Sequence, residues 1–248
     1  MSTSDSTVRI GLILPDVMGT YGDDGNALIL RQRLRWRGYD AEIVRITLDD
    51  PVPDSCDIYA VGGGEDAAQV LATKHLSDSR GVQSAVAKGT PVLAICAGMQ
   101  IFGEWFAIAD GSRVPGLGLL DVTTLPQKTR SIGEVASTPL LDGLTEPLLG
   151  FENHMGATKL GPDAAPLGRV TAGTGNGVAG GEGPADDGGE GVVQGSIIAT
   201  YMHGPALSRN PQLADLLLSR ALGVDALDPV DVPAQERLRS ERLAAARR

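Results

Sequence analysis

The first hundred residues alternate between apolar runs of strand length and longer amphipathic stretches. The apolar runs cover residues 8–14, 42–46, 58–61 and a segment beginning at Pro91, and helical spacing marks residues 26–36, 66–73 and 79–88. Uninterrupted apolar runs are typical of strands that are covered on both faces of a parallel sheet. We expect Asn26 to cap the first helix and Gly38 to end it. This alternation predicts an α/β fold with an open, mostly parallel twisted sheet and flanking helices.

The pattern changes after Trp105. Short β-like runs at residues 118–124, at 132–136 and near Phe151 alternate with turns. Residues 171–191 are rich in glycine and acidic residues, a composition typical of a flexible surface loop.

The last part of the chain returns to longer elements. Residues 192–200 predict a strand and residues 212–222 an amphipathic helix. A linker is expected at residues 228–233, followed by a short basic helix or a frayed tail. We therefore predict one domain over residues 1–225, with a linker and a basic C-terminal helix or tail at residues 226–248.

Composition narrows the functional class. The chain has 248 residues, 42% of them hydrophobic, and a formal net charge of -10. The apolar content suffices for a buried core, and the negative charge argues against a general nucleic-acid-binding surface. Cys56 and Cys96 are the two cysteines, and isolated thiols fit a reducing compartment. We expect a cytoplasmic protein that has neither a signal peptide nor a membrane span and that reaches a membrane only indirectly. The sequence lacks a GxxxxGK[ST] loop and metal-ligand spacing, so we expect the chain itself to bind neither ATP nor a metal.

Cys96 follows an apolar run and precedes the start of a helical pattern, with small residues on both sides. A strand that turns sharply into a helix can display a nucleophile at the corner. The amide-rich end of the following helix favours the thiolate, which is the reactive form. The alternative is an inert cysteine that closes a core strand.

A cysteine nucleophile needs a base that takes its proton and later returns it to the leaving group. His203 follows a strongly apolar strand and precedes Gly-Pro, so it is displayed at a strand end, either as the base or as a buried core histidine. His75 is expected on a polar helix face in contact with water. His154 lies in a polar cluster that we expect to form a turn, where it could order a loop or contact substrate.

Acyl transfer also requires amide donors where negative charge develops on oxygen. Gly62, Gly63 and Gly64 follow a strand one βα unit before Cys96, and glycine lets the backbone approach closely with exposed N–H groups. The amide of Ala97 is the natural second donor. The alternative for the triple glycine is a simple turn.

Five segments together resemble a known family. They are residues 21–26 (YGDDGN), 62–66 (GGGED), 96–100 (CAGMQ), 150–154 (GFENH) and 201–205 (YMHGP) with 208–211 (SRNP). In this order they resemble class I glutamine amidotransferases of the cobyric-acid-synthase type. More closely, they resemble the small glutaminase subunits that serve amidation of lipid II.

The resemblance implies a mechanism and a substrate. Cys96 would attack the side-chain amide of L-glutamine, His203 would protonate the departing ammonia, and water would release glutamate from the thioester. Arg130, in the segment after the elbow helix, is expected to pair with the substrate carboxylate through its guanidinium fork. The other substrate-binding residues implied are Gly63, Gly64, Ala97 and Gln100.

The resemblance also implies a partner. The expected partner is a Mur-ligase-like ATP-dependent subunit that binds ATP and magnesium, forms a heterodimer with this chain and amidates the D-glutamate of lipid II in peptidoglycan synthesis. The alternatives are a glutaminase for another acceptor such as a cobyrinic acid, a stand-alone cysteine hydrolase of the same fold, and an inactive regulatory subunit.

Two positions depart from the family pattern. Ala94 stands where glycine usually lies two residues before the cysteine, and Pro205 stands where a glutamate usually orients the catalytic imidazole. Because an unoriented imidazole is a poor base, we expect a carboxylate of the partner subunit to complete the dyad.

Overall fold

The apolar runs of the first hundred residues form a parallel sheet in the computed structural model, which describes residues 7–177 and 188–246. The strands of this sheet, in chain order, are β1 (Val8–Ile13), β2 (Ala41–Ile46), β3 (Ile58–Val61), β4 (Val92–Ile95), β11 (Val192–Gln194) and β12 (Ile197–Thr200). Their spatial order is β11-β12-β4-β3-β1-β2, and β11 alone among these described strands runs antiparallel to its neighbour. Every residue of β3, β4 and β12 is buried, as the uninterrupted apolar runs predict. The predicted α/β fold with a mostly parallel sheet is therefore confirmed.

Helices pack around this sheet. The described helices are α1 (Gly25–Arg35), α2 (Asp66–Ser79), α3 (Gly81–Ala87), α4 (Ala97–Phe102), α5 (Ala206–Arg209), α6 (Pro211–Leu222) and α7 (Pro233–Ala246). The prediction that Asn26 caps α1 is wrong, since it lies inside the helix and its side-chain oxygen accepts the N–H of Leu207 at 3.0 Å. This long-range hydrogen bond ties α1 to the segment beyond His203.

The short β-like runs after Trp105 belong to a second sheet that the sequence pattern did not indicate. Its strands are β5 (Trp105–Ala107), β6 (Arg113–Pro115), β7 (Val122–Pro139), β8 (Leu148–Leu160), β9 (Gly168–Ala172) and β10 (Gly189–Glu190). Two of the predicted runs, at residues 118–124 and 132–136, contribute to the single long strand β7, whose pairing with β8 is interrupted between Pro126 and Ser131. The resulting β7–β8 hairpin forms one wall of the pocket described below.

One prediction for the last part of the chain needs adjustment, and one of two alternatives is selected. Residues 192–200 form a hairpin of two strands, because Gly195 adopts φ 57° and turns the backbone between them.

The basic C-terminal segment forms helix α7, on which Arg239 is buried and pairs with Glu146 at 2.8 Å. The division of the chain at residue 225 stays a prediction. Of the glycine-rich segment 171–191, residues 178–187 lie outside the described residues. In the part that is described, no helix is long and apolar enough to cross a membrane.

Candidate active site

Cys96 occupies the corner between β4 and α4. Its backbone adopts φ 53° and ψ −109°, a conformation that a residue with a side chain rarely takes and that stores strain at functional sites. The backbone N–H of Cys96 donates to the carbonyl of Thr200 at 2.8 Å, which fixes the corner to β12. A Cβ on Gly98 would lie 3.0 Å from the carbonyl oxygen of Gly62, so only a very small residue fits after the corner without displacing a neighbour. The sequence therefore folds locally into a strained strand-to-helix elbow with the thiol at its apex.

His203 follows β12 and lies at the same edge of the sheet. The backbone N–H of His203 donates to the backbone carbonyl of Phe151 at 2.9 Å, which anchors His203 to β8. The side chain is 1% exposed, and its ring lines the same pocket as Cys96. The two side chains named as nucleophile and base therefore meet at one site, and their catalytic roles stay a prediction.

The expectation that this chain lacks a carboxylate for His203 is wrong. Asp23 places Oδ2 at 2.9 Å and Oδ1 at 3.1 Å from Nδ1 of His203, and the side chain of Asp23 is fully buried. Oδ2 also accepts the N–H of Gly63 at 2.9 Å, so the carboxylate is held on two sides. Since a carboxylate only accepts, Nδ1 carries the proton and Nε2 is left for the sulfur. The carboxylate arrives from the loop before α1 rather than from the position of Pro205.

This pairing changes the charge of the imidazole. Burial of His203 opposes its protonation, but the hydrogen bond that its ring donates to Asp23 and the neighbouring Cys96 outweigh burial and raise the pKa of His203 to about 10. No hydrogen-bond partner of Nε2 is found among the described residues, although Cys96 contributes to the raised pKa. An imidazolium at neutral pH beside the sulfur can act as the acid that protonates a leaving group.

The triple glycine serves close packing more than anion binding. The N–H of Gly63, expected to face substrate, is taken by Asp23, so Gly63 is not a free oxyanion donor. A Cβ on Gly63 would lie 2.9 Å from Cε1 of His203 and 3.3 Å from Cβ of Cys96. Gly63 therefore lets these two side chains approach each other. Gly64 and Ala97 line the pocket, and their backbone amides remain the candidate oxyanion donors.

Cys96 opens into a pocket of about 580 Å³ between the first sheet and the β7–β8 hairpin. Arg130 lies on the rim of this pocket, in the irregular part of β7. Its Nε donates to Oδ1 of Asn153 at 2.6 Å, and its Nη2 donates to the hydroxyl of Tyr21 at 3.2 Å. A guanidinium fixed in this way can bind a carboxylate. The predicted carboxylate-binding residue and the predicted nucleophile thus share one pocket.

Gln100 lies at the back of the pocket within a buried hydrogen-bond chain. Its Nε2 donates to the Tyr201 hydroxyl at 2.9 Å, and its Oε1 accepts from Gln69 at 2.8 Å. The Tyr201 hydroxyl also lies 2.7 Å from that of Thr158 on β8. Gln100 therefore links the elbow helix to the pocket wall, and its predicted contact with substrate stays a prediction.

Of the other two histidines, His154 differs from expectation and His75 lies on α2 with partial exposure. His154 lies in strand β8, not in a turn, where its Nδ1 donates to the carbonyl of Gly156 at 2.8 Å and its ring stacks on Tyr201 at 3.7 Å. It lines the pocket wall. The ring of His75 is half-buried, and its Nε2 lies 3.0 Å from the carbonyl oxygen of Asp50.

The sequence reasoning missed Asp23, Tyr21 and Asn153 as residues of the site. Asp23 and Tyr21 lie in the YGDDGN segment and Asn153 in the GFENH segment, both of which carried the resemblance. The signal was therefore the motif itself, whose polar residues had no role assigned.

Comparisons with known proteins identify the family to which the chain is similar. Residues 9–211 match the CobB/CobQ-like glutamine amidotransferase domain. The chain is 36% identical to the GatD subunit of the glutamine-hydrolyzing lipid II isoglutaminyl synthase of Staphylococcus aureus, over 84% of this chain and 82% of that protein. The corresponding Streptococcus pneumoniae subunit is 33% identical over 96% of this chain and 89% of its own length.

Three further proteins are similar over only part of their own length or share the fold alone. A cobyric acid synthase of Sphingopyxis alaskensis is 30% identical over 72% of this chain, but over only 34% of its own length. Among solved structures, the glutaminase domain of Trypanosoma brucei CTPS with bound acivicin has a TM-score of 0.54 at 11% identity, and covers 92% of this chain and 99% of that one. A glutamine amidotransferase from Thermotoga maritima has a TM-score of 0.51 at 15% identity, with 97% and 96% covered. At such identities these structures show the fold alone.

Proposed function

The chain belongs to the CobB/CobQ-like glutamine amidotransferase family, and from this premise we propose that it is the glutaminase subunit of a lipid II isoglutaminyl synthase. The observation that carries the proposal is the buried set of Cys96, His203 and Asp23 at the base of a pocket with Arg130 on its rim. The chain matches the GatD subunits over most of their length and a cobyric acid synthase over about a third of its length. This difference favours a separate glutaminase subunit over a glutaminase domain of cobyric acid synthesis.

In the first half-reaction, the sulfur of Cys96 bonds to the side-chain amide carbon of L-glutamine. The amides of Gly64 and Ala97 stabilise the negative oxygen that forms. The carbon–nitrogen bond then breaks, and Nε2 of His203 donates its proton so that ammonia leaves. The product on the enzyme is a γ-glutamyl thioester. The raised pKa of His203 supports this step, because the imidazole holds a proton at neutral pH.

In the second half-reaction, the now neutral His203 takes a proton from water, and the hydroxide attacks the thioester carbon. The carbon–sulfur bond breaks, glutamate leaves, and the thiolate–imidazolium pair is restored. Asp23 keeps the proton on Nδ1 throughout and so presents Nε2 to the reacting atoms. Arg130 holds the α-carboxylate of glutamine, with Asn153 and Tyr21 fixing its guanidinium.

The partner in this proposal is a Mur-ligase-like subunit that uses ATP and magnesium to activate the D-glutamate α-carboxyl of lipid II. The ammonia made at Cys96 is consumed there, and the proposal assigns nucleotide and metal binding to the partner. The two subunits form a cytoplasmic heterodimer, and contact with the membrane is indirect, through the lipid-linked acceptor.

The test is to co-purify the chain with the Mur-ligase-like subunit and to measure glutamate release and lipid II amidation. Cys96→Ala is expected to abolish both with glutamine as donor, while added ammonium salt restores amidation. Cys56→Ala is the matched control, since Cys56 is buried in the core of the first sheet and is expected to leave turnover unchanged. Glutamine-dependent amidation by the Cys96→Ala complex would refute the proposal. Amidation of a cobyrinic acid instead of lipid II would overturn the acceptor alone.

A further inference from the structure

Tyr21 contacts two parts of the active site at once. Its hydroxyl accepts a hydrogen bond from Nη2 of Arg130 at 3.2 Å. Its ring meets the ring of His203 edge to face, with centroids 5.0 Å apart and an interplanar angle of 65°. The proposed carboxylate-binding residue and the proposed acid–base residue are thus joined through one side chain.

The backbone of Tyr21 is held in a costly conformation. Its φ is 64°, a value that bulky residues rarely adopt, and Gly22 follows with φ 79°. The preceding residue, Thr20, donates its N–H to the carbonyl of Gly63 at 3.2 Å, which pins the loop over the glycine segment. Glycine would adopt this backbone without strain, so the aromatic side chain is kept there against a local preference.

The position of Tyr21 explains how it can act without touching the reacting atoms. The residue is 42% exposed and lies on the pocket rim, where its ring covers one side of an imidazole that is 1% exposed. The Tyr21 hydroxyl and Oδ1 of Asn153 accept hydrogen bonds from two different nitrogens of Arg130, Nη2 and Nε. The guanidinium is therefore oriented from two directions, which prepares it for a planar carboxylate.

We propose that Tyr21 is a positioning residue that couples the carboxylate subsite to the acid–base group: its hydroxyl fixes Arg130 and its ring shields and orients His203. This inference rests on the proposed function, because it assigns glutamine's α-carboxylate to Arg130. The two halves of the side chain then have separable effects. Loss of the hydroxyl weakens substrate binding, whereas loss of the ring also slows the chemical steps.

The first measurement separates KM from kcat for glutamine hydrolysis by the complex. Tyr21→Phe keeps the ring and is expected to raise KM about fivefold, the effect of losing one typical hydrogen bond, with kcat within about twofold. Tyr21→Gly removes the ring and is expected to fold, because glycine adopts this backbone conformation without strain. Since the ring no longer orients His203, this variant should also lower kcat at least about tenfold. Tyr39→Phe is the matched control, since Tyr39 packs against the core of the first sheet and not at the pocket.

The second measurement is a double-substitution cycle. In an Arg130→Ala background, Tyr21→Phe should have almost no further effect on KM, because its partner is gone. Equal effects of Tyr21→Phe in both backgrounds would overturn the hydroxyl's role. An unchanged kcat in a folded Tyr21→Gly variant would overturn the ring's role.

Alkylation of Cys96, mapped by mass spectrometry, separates failure of this inference from failure of the proposed function. A glutamine-like chloroketone carries an α-carboxylate, whereas iodoacetamide does not. Tyr21→Phe should slow labelling by the chloroketone about fivefold and leave labelling by iodoacetamide unchanged. If the chloroketone does not label wild-type Cys96, the proposed function fails. If it labels wild type and Tyr21→Phe equally, only the role of Tyr21 fails.

Discussion

Asp23→Asn is the most informative substitution, because it keeps the volume of the side chain and removes the charge beside His203. The asparagine amide can donate to Nδ1, which would then hold no proton, so the neutral ring would carry its proton on Nε2. In a serine protease triad the equivalent change costs roughly 10⁴-fold in kcat, and we expect a loss of about 10³- to 10⁴-fold in glutamine hydrolysis. The assay is glutamate release by the complex across pH.

The same pair makes a contribution to stability that depends on pH. The pKa of His203 is raised from 6.5 to about 10, so the folded state binds the proton more tightly than the unfolded state. The stabilisation is therefore fully present below pH 6.5 and is lost as pH rises through 10. Linkage gives about 5 kcal/mol at pH 6, about 3 kcal/mol at pH 8 and less than about 1 kcal/mol at pH 10. Because Cys96 contributes to the shift, Asp23→Asn should lose at most these amounts in urea unfolding.

Asp24→Asn is the matched control for Asp23→Asn. Asp24→Asn makes the same chemical change one residue away, where the carboxylate is 3.9 Å from Arg45 and does not contact His203. It should leave activity within about threefold, as surface ion pairs contribute little. If Asp23→Asn retains activity within tenfold of wild type in the complex, this carboxylate does not orient the imidazole, and a carboxylate from the partner subunit does.

Three other substitutions test the site and its surroundings. Cys96→Gly should abolish hydrolysis. It should nevertheless be more stable than Cys96→Ala by about 1–2 kcal/mol in thermal unfolding, because glycine relieves the backbone strain at φ 53°. Equal stability of the two variants would show that the corner is unstrained. Gly63→Ala should lower kcat more than about 100-fold by forcing apart His203 and Cys96, and an active variant would contradict the close approach. Burial raises the pKa of Glu190 from 4.5 to about 7, so the folded state binds this proton more tightly than the unfolded state. The resulting contribution to the free energy of unfolding is present below pH 4.5 and is lost as pH rises to about 7. Glu190→Gln should therefore remove about 3 kcal/mol of the fall in unfolding free energy between pH 4 and 8, and a variant with an unchanged pH dependence would refute it.

The parallel sheet and the meeting of Cys96 with His203 were predictable from the sequence. Uninterrupted apolar runs identify buried parallel strands, and side chains at the carboxyl ends of such strands meet at one edge. The long strand β7 was not predictable in the same way, because polar residues 127–131 break its apolar pattern where the pairing with β8 is irregular.

The third member of the site escaped prediction because its partner is distant along the chain. Asp23 and His203 are 180 residues apart, and no local spacing signals their contact. Asn26 shows the same limit, since its cap preference was overridden by a hydrogen bond to Leu207. In both cases tertiary contacts decided what local propensity could not.

Helix α7 reaches the wall of the active site from the far end of the chain. Arg242 and Arg209 both pair with Glu134 on β7, at 3.3 Å and 2.6 Å, and β7 is the strand that carries Arg130. The segment that precedes α7 is largely exposed. A protease cut in this segment would release α7 and its ion pair with Glu134 and so loosen the β7–β8 hairpin. Binding of glutamine should then weaken while the parallel sheet stays folded.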